Sequence, residues 1–200
     1  MAHVCAGGKA DRLVMNCSGK HAAMLLTCRR NGWDIAGYLD PEHPLQKALR
    51  VTVEHLSGGT VEAIGVDGCG APIFGMPVSA LARCFARLAA ASVGTPERLV
   101  VDALRGHPEV VGGPGRHITR LLRAVPGLVA KDGAEGVYAA ALPGGPAVAV
   151  KIDDGADRAS GVVVAAALVR HGVDGASGLD RLDVMGGQLR PAGPACNLTA

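Results

Sequence analysis

A cysteine, a serine and a lysine fall within four residues in Cys17-Ser18-Gly19-Lys20, at the front of an apolar helical run. A serine beside a lysine can serve as nucleophile and base when the lysine is desolvated enough to lose its proton. The familiar arrangement is Ser-x-x-Lys on a helix, with both side chains on one face a turn apart. With only one residue between them, Ser18 and Lys20 point apart. Ser18 is therefore read as the N-cap of a helix beginning near Gly19-Lys20. The second chemistry is metal binding. Cys17 and the Asp67-Gly68-Cys69 loop each sit where elements join, and two thiolates, a carboxylate and one further donor make a compact site for a zinc-like divalent ion. No Cys-x-x-Cys pair is present, and free cysteines are commonly buried as small hydrophobes. Spacing alone leaves both readings open.

Lys131, in "GLVAKDGAEGVY", closes an apolar strand just before a glycine turn. Such a lysine either faces a cleft as a base of lowered pKa or marks the solvent boundary of its strand. Lys151, in "AVAVKIDDG", has the same two readings. The histidines offer less: His21 lies on the apolar side of its helix, His107 precedes Pro108 in a loop, and no His-x-x-x-His or His-Glu-x-x-His pair exists. "GGPGR" at 112–116 lacks the Gly-Lys-Ser/Thr ending of a phosphate loop and reads as a turn.

The elements that must carry these residues follow from periodicity. Helices are expected over 20–31, from Pro44 to the Gly58-Gly59 stop, and over about 78–92, 95–106 and 157–172. In the second of these Leu45, Leu49, Thr52, Val53 and Leu56 make the buried stripe. In the third it is Val78, Leu81, Phe85 and Leu88. A strand over 61–66 precedes the Asp67 loop, and three strands in 127–152, separated by Gly/Pro turns, form an antiparallel meander. Helices first and a meander afterwards argue for an α+β fold with helices packed on an antiparallel sheet, in a single domain spanning residues 1–200. Hydrophobic residues are 48% of the chain and aromatics only 2%, so Ala, Val and Leu must fill the core by close packing. A net charge of +2 without a basic block speaks against nucleic acid, and no apolar run is long enough to cross a membrane. The start of the sequence has no signal-like apolar stretch. The cysteines at 5, 17, 28, 69, 84 and 196 are thus expected to be reduced thiols in a cytoplasmic protein.

Six collinear stretches resemble one family: "MNCSGKHAAML", "GYLDPEHPLQKALRVTVEHL", "GVDGCGAP", "HPEVVGGPGR", "LVAKDGAEGVYAAAL" and "AVKIDDGADRA". They resemble the rhizobial-type L-asparaginases, the asparaginase II family, from about Gly8 to Arg190. The resemblance implies a fold similar to the serine β-lactamases and penicillin-binding proteins. It also implies hydrolysis of L-asparagine to aspartate and ammonia. It matches Cys17, Lys20 and Cys69 to zinc ligands, with Asp67 as a supporting carboxylate, and Lys131 to a lysine that works with serines in base and proton-transfer roles. Lys20 can ligate only as a neutral amine, so a lowered pKa is expected there. A homodimer is also expected from the family.

The sequence departs from the family in one respect. Its members carry an N-terminal portion with a Ser-x-x-Lys nucleophile pair, and no Ser-x-x-Lys occurs in these 200 residues. The expectation is a C-terminal portion of an asparaginase, either completed by the missing segment or acting as an inactive zinc-binding remnant or partner module of the same fold. A thiol enzyme built on Cys17 or Cys69 is a weaker alternative, since no His or Asp is placed by sequence to activate either.

Overall fold

The computed structural model describes residues 2–179 together with 184–185 and 188–189. These residues divide into two compact units, one made of the chain up to His55 with Gly59–Met76, the other of Leu56–Gly58 with the chain from Pro77 on. Cys196 lies outside the described residues.

The first unit starts with α1 (Ala2–Cys5) and a 3₁₀ turn at Arg12–Val14, whose entry is capped by Asp11 accepting from the Leu13 N–H. Helix α2 spans Ser18–Asn31 and ends at Gly32, whose N–H reaches the Arg29 and Cys28 carbonyls. Helix α3 spans Pro44–Ser57, its last residues passing into the second unit. His43 fixes its start: Nδ1 accepts from the Leu45 N–H, and Nε2 donates to the Asp34 carbonyl. The stripe expected on α3 is only partly sealed, with Leu45 buried, Leu49, Val53 and Leu56 half-buried and Thr52 exposed. Strands β1 (Ala63–Val66) and β2 (Pro72–Gly75) pair antiparallel from Ala63↔Gly75 to Val66↔Pro72. The second of these was not expected from sequence, because Pro72 and Gly75 bracket it and only Ile73 and Phe74 carry strand propensity.

The second unit is layered. Strands β3 (Val129–Asp132), β4 (Val137–Ala141) and β5 (Ala147–Lys151) form the expected meander, in the order β3-β4-β5. Alternation along β3 sends Val129 to one face and Ala130 to the other. Val129 and Ala141 pack with Ala89, Phe85 and Leu88 of α4 (Val78–Ala89) and Val101 of α5 (Pro96–Gly106). Thr95 caps α5 by accepting from the Arg98 N–H, with Pro96 in its first turn as expected. After the short α6 (Pro108–Gly112), the opposite face is covered by α7 (His117–Ala124) and α8 (Asp157–Arg170). There Ala130, Tyr138 and Ala140 meet Ile118, Leu121, Val164, Ala165 and Leu168. A 3₁₀ turn at Asp174–Ala176 follows, and β6 (Val184–Met185) pairs antiparallel with β7 (Gln188–Leu189).

Small residues make this possible. Ala130, Ala139, Ala140 and Ala141 are at most 1% exposed, so helices approach the sheet closely on both faces. The stripe expected on α4 holds in part: Leu81, Phe85 and Leu88 are half-buried, the last two against the sheet, while Val78 is exposed and the fully buried residues are Ala80, Cys84 and Ala89. Among the described residues no helix is long and apolar enough to cross a membrane.

His117 sits within this packing. Its Nε2 donates to the Leu179 carbonyl at 3.1 Å, and the Tyr138 hydroxyl lies 3.4 Å from Nδ1. Burial holds its pKa below the ordinary 6.5, against the pull of that carbonyl. The folded state therefore binds fewer protons than the unfolded chain. Stability should be fully present above pH 6.5 and fall as the pH drops through the lowered folded value. Urea unfolding across that range should show the decline, and His117→Asn should flatten it. Leu121→Ala, deleting a fully buried side chain, should cost about 2–5 kcal/mol in the same assay.

Candidate functional site

The front of α2 is set by a turn in which the Ser18 N–H donates to the Met15 carbonyl at 3.1 Å. Cys17 thereby takes the cap position, and no side chain caps the helix there. Ser18 lies one residue inside, which corrects the N-cap expectation: the preceding turn runs straight into the helix and uses up the residue before it. Cys17 and Lys20, three apart, share a face.

A tight loop between β1 and β2 supplies the other half. The Asp67 N–H donates to the Ala71 carbonyl and the Gly70 N–H to the Asp67 carbonyl, both at 2.8 Å. Asp67 Oδ1 accepts from the Gly68 N–H at 2.7 Å. Gly70 has φ +85°, which side-chain-bearing residues adopt only with strain. The loop turns Asp67 and Cys69 toward α2. Lys20 Nζ donates to Asp67 Oδ2 at 2.7 Å, and Cys69 Sγ lies 3.4 Å from the same oxygen. Ligand atoms of Cys17, Asp67 and Cys69 all lie within 4.8 Å of one another. One tetrahedral ion with bonds of about 2.3 Å to sulfur spans such a set. Two sulfurs, one carboxylate and a neighbouring amine fit zinc by donor chemistry.

Residues 1–191 match the sequence profile of a family described as L-asparaginase II. The chain belongs to that family. It is a family of asparaginase-type amidohydrolases acting on asparagine, and the α+β architecture agrees with the sequence reading. No curated protein matches the chain significantly.

The electrostatics of this asparaginase-family cluster follow from the pairing of its side chains. The Lys20 hydrogen bond holds the Asp67 carboxyl below the usual carboxylate range. Burial and the hydrogen bond with Cys69 push the Cys17 thiol up, more than Lys20 pulls it down. For Lys20, burial favours the neutral amine, but hydrogen bonds to Asp67 and Cys69 outweigh it, and the pKa is raised. Asp67 takes the ammonium as its counter-ion, and the lowered value expected from sequence belongs to a zinc-bound Lys20. Ligation by Lys20 would have to displace that proton.

Beside the cluster, one turn along α2, His21 Nδ1 meets the Tyr38 hydroxyl at 2.7 Å, while its buried Nε2 has no partner among the described residues. Tyr38 drew no attention in the sequence, since it carries no motif of its own.

Lys131 stands in the second unit on β3, opposite Ala139 and with its side chain 47% exposed. Its Nζ donates to the Asp132 carbonyl and to Asp132 Oδ1, both at 2.5 Å. Arg116 donates to Asp132 Oδ2 at 2.9 Å. Sequence reasoning missed Asp132 and Arg116, although the "KD" step and the end of "GGPGR" hold them in plain view. Lys151 donates to the neighbouring Ile152 carbonyl, at 2.6 Å.

Gly70→Ala should cost about 1–2 kcal/mol through its backbone conformation alone, because the nearest atom a methyl would meet, Leu39 Cδ1, is an ordinary 3.7 Å away. Urea unfolding checks the size. Faster alkylation of Cys69, followed by mass spectrometry, checks that the loop has loosened.

Proposed function

We propose that this chain carries the metal-binding and proton-transfer parts of an L-asparagine amidohydrolase, which releases ammonia from the side-chain amide and leaves aspartate. The observation that carries this reading is the convergence of Cys17, Lys20, Asp67 and Cys69 from two distant segments, in a chain of the asparaginase family. Cys17, Cys69 and Lys20 would hold a zinc ion, with Asp67 supporting Lys20. A zinc ion bound there would supply Lewis-acid polarisation of an amide carbonyl, or orientation of the substrate. Asp67 orients Lys20 and accepts from the Cys69 thiol, so it sets where both donors point.

Lys131 is read as the proton-transfer residue. A base must offer a lone pair, so Lys131 acts only after its ammonium has given up a proton and its nitrogen has turned from Asp132 toward the substrate. The nucleophile is not assigned to any residue in this sequence, which has no Ser-x-x-Lys pair. A second reading is a zinc-binding module of the same fold without turnover, resting on the same cluster of Cys17, Asp67 and Cys69. The likeness to serine β-lactamases and penicillin-binding proteins belongs to the first reading, and a three-stranded antiparallel sheet covered by helices on both faces supports it.

Two measurements on the purified chain decide between them. Zinc content by elemental analysis should be about one per chain and should drop in Cys17→Ser and in Cys69→Ser; full occupancy in either variant would sink the metal assignment. Ammonia release from asparagine should fall by about 10²-fold or more in Lys131→Ala. A zinc-loaded chain that releases no ammonia establishes the module reading instead.

A further inference from the structure

We propose that Asp132, anchored by Arg116, is the positioning residue for Lys131 at the outer edge of the three-stranded sheet. The inference rests on the reading of Lys131 as the proton-transfer residue.

Successive side chains on a strand leave on opposite faces. Val129 packs toward α4 and α5 and Ala130 toward α7 and α8, so Lys131 sets out on the first face and Asp132 on the second. Left to that alternation, the two would diverge. The Lys131 ammonium nevertheless reaches both the carbonyl and the carboxylate of Asp132. Register explains how. The Gly133 N–H bonds to the Val137 carbonyl, so the hydrogen-bonded pairs fall at residues 133 and 131, and Asp132, opposite Tyr138, turns its carbonyl to the free edge of β3. Lys131 wraps over that edge and takes up an acceptor the ladder leaves unused.

The carboxylate is itself fixed. Its side chain is 18% exposed and is held from the far side by Arg116. Burial alone would raise the carboxyl's pKa, but the hydrogen bonds from Lys131 and Arg116 outweigh burial and keep it ionised. Arg116 ends the "GGPGR" loop, and that loop is pinned: buried Thr119 donates to the Gly113 carbonyl at 2.7 Å and lies 3.2 Å from the Pro108 carbonyl. Gly112 lets the loop tuck in, because a methyl there would stand 2.2 Å from Ile118 Cγ2 and 2.8 Å from Thr119 Oγ1. The stretch that reads as a plain turn is the support of a chain running Thr119, Arg116, Asp132, Lys131. A flexible four-carbon stem gains one defined resting place, from which the nitrogen turns to the substrate.

Competitive acylation with acetic anhydride, read residue by residue by mass spectrometry on the full chain, tests this without turnover. Lys151 is the internal reference, on the same face of the sheet but bonded, among the described residues, to a backbone carbonyl. Asp132→Asn should raise the Lys131 rate several-fold with Lys151 unchanged, and Asp132→Glu should bring it back toward the wild-type rate. An unchanged Lys131 rate in a folded Asp132→Asn variant overturns the proposal. If that variant unfolds, so that both lysines rise together, Arg116→Gln decides: a rise at Lys131 alone supports the anchor, and no change overturns it. Because labelling does not depend on ammonia release, failure here is distinct from failure of the Lys131→Ala assay.

Discussion

One carboxylate oxygen holds the candidate metal centre together. Asp67 Oδ2 receives the Lys20 ammonium at 2.7 Å and faces the Cys69 thiol at 3.4 Å, joining segments 47 residues apart. Without it, two thiols and a cation would share a half-exposed corner with no common acceptor. The ion pair is only partly buried, at 37% and 31% side-chain exposure. Its role is therefore geometric more than energetic, since exposed pairs contribute little to stability. What it fixes is where the sulfurs point, and the hairpin turn beneath it makes that direction repeatable.

The second unit solves a different problem with similar means. A sheet of three strands must bury both faces with hardly any aromatic residues to fill space. Alanines in β3 and β4 let α4, α5, α7 and α8 come close around Tyr138, a large ring buried to 2% exposure. The cost of close packing is intolerance: there is no slack around Leu121 or His117 in which a change could be absorbed.

The two lysines singled out by chemistry share a motif that neither stretch announces. Lys20 is held by Asp67 and Lys131 by Asp132, each through a carboxylate that has a second donor of its own, the Cys69 thiol in one case and Arg116 in the other. A lysine is a mobile point charge on a long stem, and a doubly bonded carboxylate is a simple way to give it one place to be. In both cases the lysine stands as a hydrogen-bond donor, so any role as ligand or base begins by breaking that pair.

Much of this was legible in the sequence. Period and punctuation located α3, α5, α8 and the meander β3–β5, because their stripes, caps and Gly/Pro turns are local properties of the chain. Cys17, Asp67 and Cys69 could be named as candidates because they sit at the junctions those elements create, whereas Lys20 as a ligand and Lys131 as a base were singled out by the family resemblance. The helix α7, the strand β2 and the true cap position at Cys17 were not legible. Each is settled by its neighbours: α7 by the sheet it covers, β2 by pairing with β1, and Cys17 by the turn ahead of it. The partners were hidden for the same reason. Lys20 with Asp67 is a meeting across 47 residues, and Arg116 with Asp132 depends on a loop pinned from below by Thr119. The sequence by itself determined which side chains are capable of chemistry. Which of them share a proton, and which pKa moves in which direction, only the tertiary structure decided, because those depend on distances between atoms that no spacing along the chain encodes.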